Sequence, residues 1–98
     1  RESPSLRLIN LLRQKGAQVD YYDPYIPVIP PTREHSALAG EESIKWDMAA
    51  ISKYDAVLIS TDHTQIDYNV LVKAAQLVID TRNATRDVVE GREKIVKA

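Results

Sequence analysis

The sequence predicts an α/β fold: a parallel sheet as the middle of three layers, with helices on both faces. Three observations carry this. Residues 56–60, Ala-Val-Leu-Ile-Ser, and the run Leu77-Val78-Ile79 are continuous and apolar, the pattern of strands buried in a parallel sheet rather than half exposed. Helical patterns alternate with the strand patterns, and crossover helices are what cover a parallel sheet. Finally, both apolar runs stop abruptly in polar clusters, Thr61-Asp62-His63-Thr64 and Asp80-Thr81-Arg82-Asn83. In open parallel sheets, ligands bind just beyond the carboxyl ends of the strands.

Taken in order, Ser3-Pro4 opens a helix, Ser3 as cap and Pro4 at the first helical position. Leu6, Leu8, Ile9, Leu11 and Leu12 form its core stripe, leaving Arg7, Asn10, Arg13 and Gln14 to water. Gly16 ends it. Residues 17–23 read as a strand through Val19, Tyr21 and Tyr22, stopped by Asp23-Pro24. An acid here could hold a cofactor ribose in a dinucleotide fold, but the chain has no G-x-G-x-x-G, so Asp23 reads as a turn residue. Residues 25–42 form a long connection stiffened by Pro27, Pro30 and Pro31. A loop of this length in a small domain is functional or mobile, and His35 within it reads as a solvated loop histidine.

Residues 43–46 suit a short strand, with Trp46 covering an edge of the core. Asp47 caps a short helix, residues 48–53. Asp67 caps another, running to Gln76, with Val70, Leu71, Ala74 and Ala75 on its buried side. Beyond Asn83 the chain turns polar, and Ile95-Val96 suit a last edge strand. This order is Rossmann-like, but the strand that should come first is absent, because the chain opens at the helix that would follow it. Residues 17–23 and 56–60 would flank the empty slot. With no initial Met, the chain reads as a fragment of a longer protein.

Bulk properties narrow the function. A chain of 98 residues suits one domain, with roughly two-thirds of its surface buried on folding. There is no cysteine, which excludes disulfides, thiolate metal sites and a cysteine nucleophile within this chain and is compatible with the cytoplasm. The net charge is −1, with no basic face for nucleic acid. No apolar run approaches the roughly 18 residues of a membrane span.

Arg82 is the principal candidate binding residue. It leaves a buried strand at the carboxyl end, and its guanidinium presents a permanently charged planar fork suited to phosphate or carboxylate. The alternative role is structural, bridging loops. Asp62-His63 invites a general-base or metal reading, but adjacent residues rarely point the same way and no nucleophile lies nearby, so a polar turn is expected.

Four stretches then add a resemblance. Arg1-Glu2-Ser3-Pro4, Tyr22-Asp23-Pro24-Tyr25, Thr61-Asp62-His63 and Asp80-Thr81-Arg82-Asn83 occur in this order and spacing. Together they resemble the C-terminal, UDP-binding domain of the UDP-glucose/GDP-mannose dehydrogenase family, over nearly the whole chain. Residues 30–35, Pro-Pro-Thr-Arg-Glu-His, are similar to the branch that oxidises UDP-N-acetylglucosamine at C6.

The resemblance implies that residues 1–98 are this domain of an NAD-dependent UDP-sugar 6-dehydrogenase, a cytoplasmic, homo-oligomeric enzyme of polysaccharide biosynthesis. The family oxidises the C6 hydroxymethyl to a carboxylate in two hydride transfers, by way of a cysteine in a central domain. That cysteine, a substrate-binding lysine and most of the NAD site would lie upstream, so this chain holds no catalytic residue and would be inactive alone. By motif, Arg1 corresponds to an arginine that reaches NAD, and Arg82 to one that contacts the UDP-sugar. Neither nucleic acid nor membrane is implied as a partner.

Two other readings remain open from the residues. One is a stand-alone nucleotide- or phosphate-binding α/β module without redox chemistry. The other is a receiver-like domain, since Asp62 and Asp80 end strands, but its acidic cluster and late lysine are not seen.

Overall fold

A computed structural model describes residues 4–31, 33 and 36–98. The chain forms two compact units, Arg1–Lys45 and Trp46–Ala98.

In the first unit, helix α1 runs over Pro4–Gln14. It ends as Gly16 dictates. Gly16 sits at φ +93°, and the amides of Gly16 and Ala17 donate to the carbonyls of Arg13 and Leu12 at 3.0 and 3.1 Å, the paired bonds of a glycine C-cap. Ile9 is buried with Ile29 and Leu38, and Leu6, Val19 and Tyr21 pack against them. The polar face of α1 is not all solvent-facing, as the periodicity suggested. Arg13 grips both carboxylate oxygens of Glu41, one at 2.8 Å, and also donates to the Val19 carbonyl.

The expected strand over residues 17–23 does not form. A strand exists only with a ladder partner, and among the described residues the segment has, beyond the helix-capping bond of the Ala17 amide, one backbone bond, from the Ile44 amide to the Tyr21 carbonyl at 2.9 Å. The Tyr21 hydroxyl donates instead to the carbonyls of Ile26 and Glu41. The segment is therefore held extended without being a strand, and residues 43–46 are not one either.

The long connection folds back on itself. The Ile29 amide donates to the Glu41 carbonyl and the Gly40 amide to the Ile29 carbonyl, both at 2.8 Å. Val28 and Glu42 form an antiparallel bridge, and the Ser43 amide donates to the Pro27 carbonyl. Proline cannot donate but can accept, so it survives beside this short pairing. A 3₁₀ turn at Ser36–Leu38 brings Leu38 inward beside Ile29.

The second unit is the parallel α/β part. Strands β1 (Val57–Ile59), β2 (Val78–Asp80) and β3 (Ile95–Lys97) form an open sheet in the order β1-β2-β3, both pairs parallel. Helix α2 (Met48–Ile51) precedes β1, and α3 (Tyr68–Ala74) crosses from β1 to β2. Asp47 and Asp67 cap them as expected, each carboxylate accepting from amides of its helix's first turn. The crossover from β2 to β3 uses turns and a 3₁₀ turn at Arg92–Lys94.

The core joins Ile51 of α2, Leu71 and Val72 of α3, Ile59 and Val78 of the sheet, and Ala75, Ala84 and Val88. Val72 replaces Val70 on the buried side of α3, and Val70 is exposed. Trp46, expected over a core edge, also stands exposed. The second sheet face carries Leu58, Ile79 and Val96 in one cross-strand row, with Leu58 and Val96 exposed. No helix among the described residues is long and apolar enough to cross a membrane.

Candidate functional site

The site grows out of the end of β2. Asp80 is its last residue, and its side chain is wholly buried. One carboxylate oxygen accepts from the Arg82 and Ala84 amides at 3.0 and 3.1 Å. The other accepts from the Thr85 amide and hydroxyl at 2.9 and 2.6 Å. Burial alone would push this carboxyl up. The hydrogen bonds from the Thr85 hydroxyl and amide and from the Arg82 and Ala84 amides outweigh it, holding the group well below the usual carboxylate range. The loop after β2 is thus wrapped around a carboxylate that is buried and charged at neutral pH.

Two further ties fix the loop. The Thr81 amide and hydroxyl both donate to the Ile59 carbonyl at the end of β1, at 3.2 and 2.7 Å. Asn83 adopts φ +58°, a left-handed conformation that asparagine tolerates better than most residues. Its carbonyl accepts from Arg86 at 3.0 Å, and its side-chain oxygen accepts from Lys97.

Arg82 sits between these fixed points. Its amide is held by Asp80, while its side chain is exposed and makes no hydrogen bond or ion pair among the described residues. Together with Asp80, Thr81, Asn83, Lys97 and Ala98 it lines an open cleft of about 500 Å³. The arrangement is a loop tied at Asp80, Thr81 and Asn83 that presents, at a strand's carboxyl end, a guanidinium with no partner among the described residues, where an anion can be met.

The other candidates resolve differently. Asp23 is a turn residue as read, its carboxylate accepting from the Tyr25 and Ile26 amides. Asp62 pairs with Arg86 at 3.2 Å, and the His63 amide donates to the Tyr68 hydroxyl at 2.8 Å. Burial, with the charge of Asp62 nearby, pushes the Tyr68 phenol up, although the His63 amide opposes this. Tyr68 is thus neutral at ordinary pH, and the Asp62-His63 pair is built into a turn. No group of three His, Asp or Glu among the described residues could hold a metal ion. Arg1 and His35 lie outside the described residues. The receiver-like alternative fails at Asp80, whose oxygens are buried and saturated.

Sequence reasoning overlooked two parts of the site. Asp80 is its anchor, a role signalled by an acid at a strand end followed by small and polar residues whose amides can turn back onto it. Lys97 had no signal, since only sheet register brings it beside Asp80.

The sequence profile of the UDP-glucose/GDP-mannose dehydrogenase family, UDP binding domain, matches residues 1–87. The chain is 39% identical over 90 residues to UDP-glucose 6-dehydrogenase TuaD of Bacillus subtilis (strain 168). That alignment takes in 85% of this chain but only 18% of the relative's length. No solved structure matches significantly.

Proposed function

This chain belongs to the UDP-glucose/GDP-mannose dehydrogenase family, as its C-terminal, UDP-binding domain, and we propose that it binds the UDP moiety of a UDP-sugar within a longer, NAD-dependent nucleotide-sugar 6-dehydrogenase. The observation that supports this most is the guanidinium of Arg82, unpaired among the described residues, on a loop fixed by Asp80 and Thr81. A nucleotide diphosphate offers it two anionic groups, and bidentate contact gives orientation as well as attraction.

In this reading, the domain's part in catalysis is positioning. Arg82 holds the anionic end of the substrate, so that the sugar's C6 hydroxymethyl is presented to the oxidising parts of the enzyme. Those parts supply NAD, which accepts hydride. This chain brings no cysteine and no glycine-rich dinucleotide turn, so the 98 residues by themselves are expected to oxidise nothing. Arg1, by its motif, would reach NAD from this domain. Residues 30–35 favour UDP-N-acetylglucosamine as the sugar nucleotide, whereas the named relative is a UDP-glucose enzyme. Solubility in the cytoplasm and assembly as a homo-oligomer complete the reading.

The test uses the full-length enzyme, following NAD reduction with UDP-glucose and with UDP-N-acetylglucosamine. Arg82→Ala should lower kcat/KM by roughly 30- to 150-fold, the loss of a charge-assisted contact of about 2–3 kcal/mol. Unchanged kinetics at limiting UDP-sugar would remove Arg82 from the substrate site. A higher kcat/KM for UDP-glucose would overturn the N-acetylglucosamine assignment alone.

A further inference from the structure

We infer that Lys97 is a positioning residue of the anion site: from the next strand, its ammonium pins the loop that presents Arg82. This rests on the reading of Arg82 as a ligand for UDP. The family profile ends at residue 87, so nothing in the matched stretch assigns Lys97 a role.

The argument begins with register. Lys97 lies directly beside Asp80 in the parallel pair of β2 and β3. The Ala98 amide donates to the Asp80 carbonyl at 3.1 Å, fixing the end of β3 against the start of the loop. From there Nζ of Lys97 reaches two groups. It is 3.4 Å from the Asp80 carboxylate, whose side chain is wholly buried, and it donates to the side-chain oxygen of Asn83. These two residues bracket Arg82. One sets where the loop leaves the strand, and the other holds the left-handed backbone at which it turns.

Lys97 also lines the cleft with Arg82, and a second cation there could instead meet the ligand itself. Its contacts favour the indirect role. Part of its charge is answered by the buried carboxylate, and one of its three protons is committed to Asn83. Arg82 has no such commitments among the described residues. A lysine that spends its donors on the loop orders the arginine, and the arginine meets the anion.

The two roles separate in a double-mutant cycle on the full-length enzyme, with UDP as the probe and its Kd measured by calorimetry. Lys97→Met keeps the aliphatic stem and removes the ammonium. It should weaken UDP binding about tenfold, with KM for the UDP-sugar rising more than kcat falls. Lys97→Arg, which restores a cation able to reach both acceptors, should recover most of that loss. In an Arg82→Ala background, Lys97→Met should cost less than about a further twofold, because there is no arginine left to position. Asn83→Gly keeps the left-handed backbone and removes the acceptor. It should act in the same direction as Lys97→Met and carries the test if that variant does not fold.

Full additivity of Lys97→Met and Arg82→Ala would overturn the inference by making Lys97 a direct ligand. Unchanged UDP affinity in Lys97→Met, with Arg82→Ala impaired, would overturn it by making the contact incidental. If Arg82→Ala itself leaves UDP affinity intact, the Arg82 reading fails first and the inference falls with it.

Discussion

Each unit of this chain closes a loop around one acid, and the two do it by different means. In the first, Glu41 is gripped by Arg13, and about a third of each side chain stays exposed. In the second, Asp80 is wholly buried and answered by backbone amides and a threonine hydroxyl. Both carboxyls titrate below their ordinary values, Glu41 because Arg13 bonds it, Asp80 because donors overcome its burial. A half-exposed side-chain pair is screened by salt and discounted by the entropy of two long side chains. Amides already fixed by the fold pay neither penalty. The tighter arrangement is the one beneath Arg82, the residue proposed to meet an anion.

The comparison is most directly broken at Asp80. Asp80→Ala leaves the Arg82, Ala84 and Thr85 amides and the Thr85 hydroxyl without their acceptor and takes the carboxylate from Lys97. It should cost about 3–5 kcal/mol, read as a fall in the denaturation midpoint with lost hydrogen-exchange protection at the Arg82, Ala84 and Thr85 amides. Retained protection there would mean the loop is held by something other than the carboxylate. Gly91→Ala comes next. Gly91 sits at φ +81°, and an added Cβ would lie 2.9 Å from a methyl of the fully buried Val72. Overpacking and strain together should cost about 1–3 kcal/mol, and an unchanged melting temperature would deny the close approach.

The smallest expected effect is Arg13→Met, about 1 kcal/mol or less. It should appear as faster exchange at the Ile29 and Gly40 amides and should shrink further in high salt. Loss of protection at Thr85 in the same variant would contradict the separate roles of the two acids.

Acid sharpens the contrast. A carboxyl whose folded value is depressed contributes stability above its unfolded value and loses it as pH falls through and below that value, about 4 for both groups. At pH 7 both contributions are complete. Titrating from pH 5 to pH 2 should erode protection around residues 80–85 and around residues 29–41 alike. Added salt should lessen the acid sensitivity of residues 29–41 much more than that of residues 80–85. Equal salt responses would show the two acids to be held in the same way.

What could be read from the sequence follows from how local each cause is. The strands at Val57–Ile59 and Val78–Asp80 announced themselves because a parallel strand is a short apolar run. The caps at Asp47 and Asp67 were legible because a cap acts across two or three residues. Arg82 could be placed for the same reason, as the position just past a strand. Residues 17–23 have strand composition, but composition does not supply a neighbour to pair with. The face of α3 was read correctly at Leu71 and Ala75 but not at Val70, which is exposed while Val72 is buried, because a helix of seven residues gives too few turns for the stripe to be unambiguous. Arg13 with Glu41 lies 28 residues apart and Lys97 with Asn83 lies 14 apart. Neither spacing has a period to betray it.

The placement of β3 bears on where this domain is cut from its gene. The recognisable stretch stops at residue 87, and a boundary chosen there keeps every motif. It would nonetheless delete the strand that pairs with β2, the amide that answers the Asp80 carbonyl, and Lys97. Such a truncation would pass any inspection for signature residues yet leave one side of β2 unzipped. The sheet that carries Asp80 reaches beyond its signature, into residues that carry none.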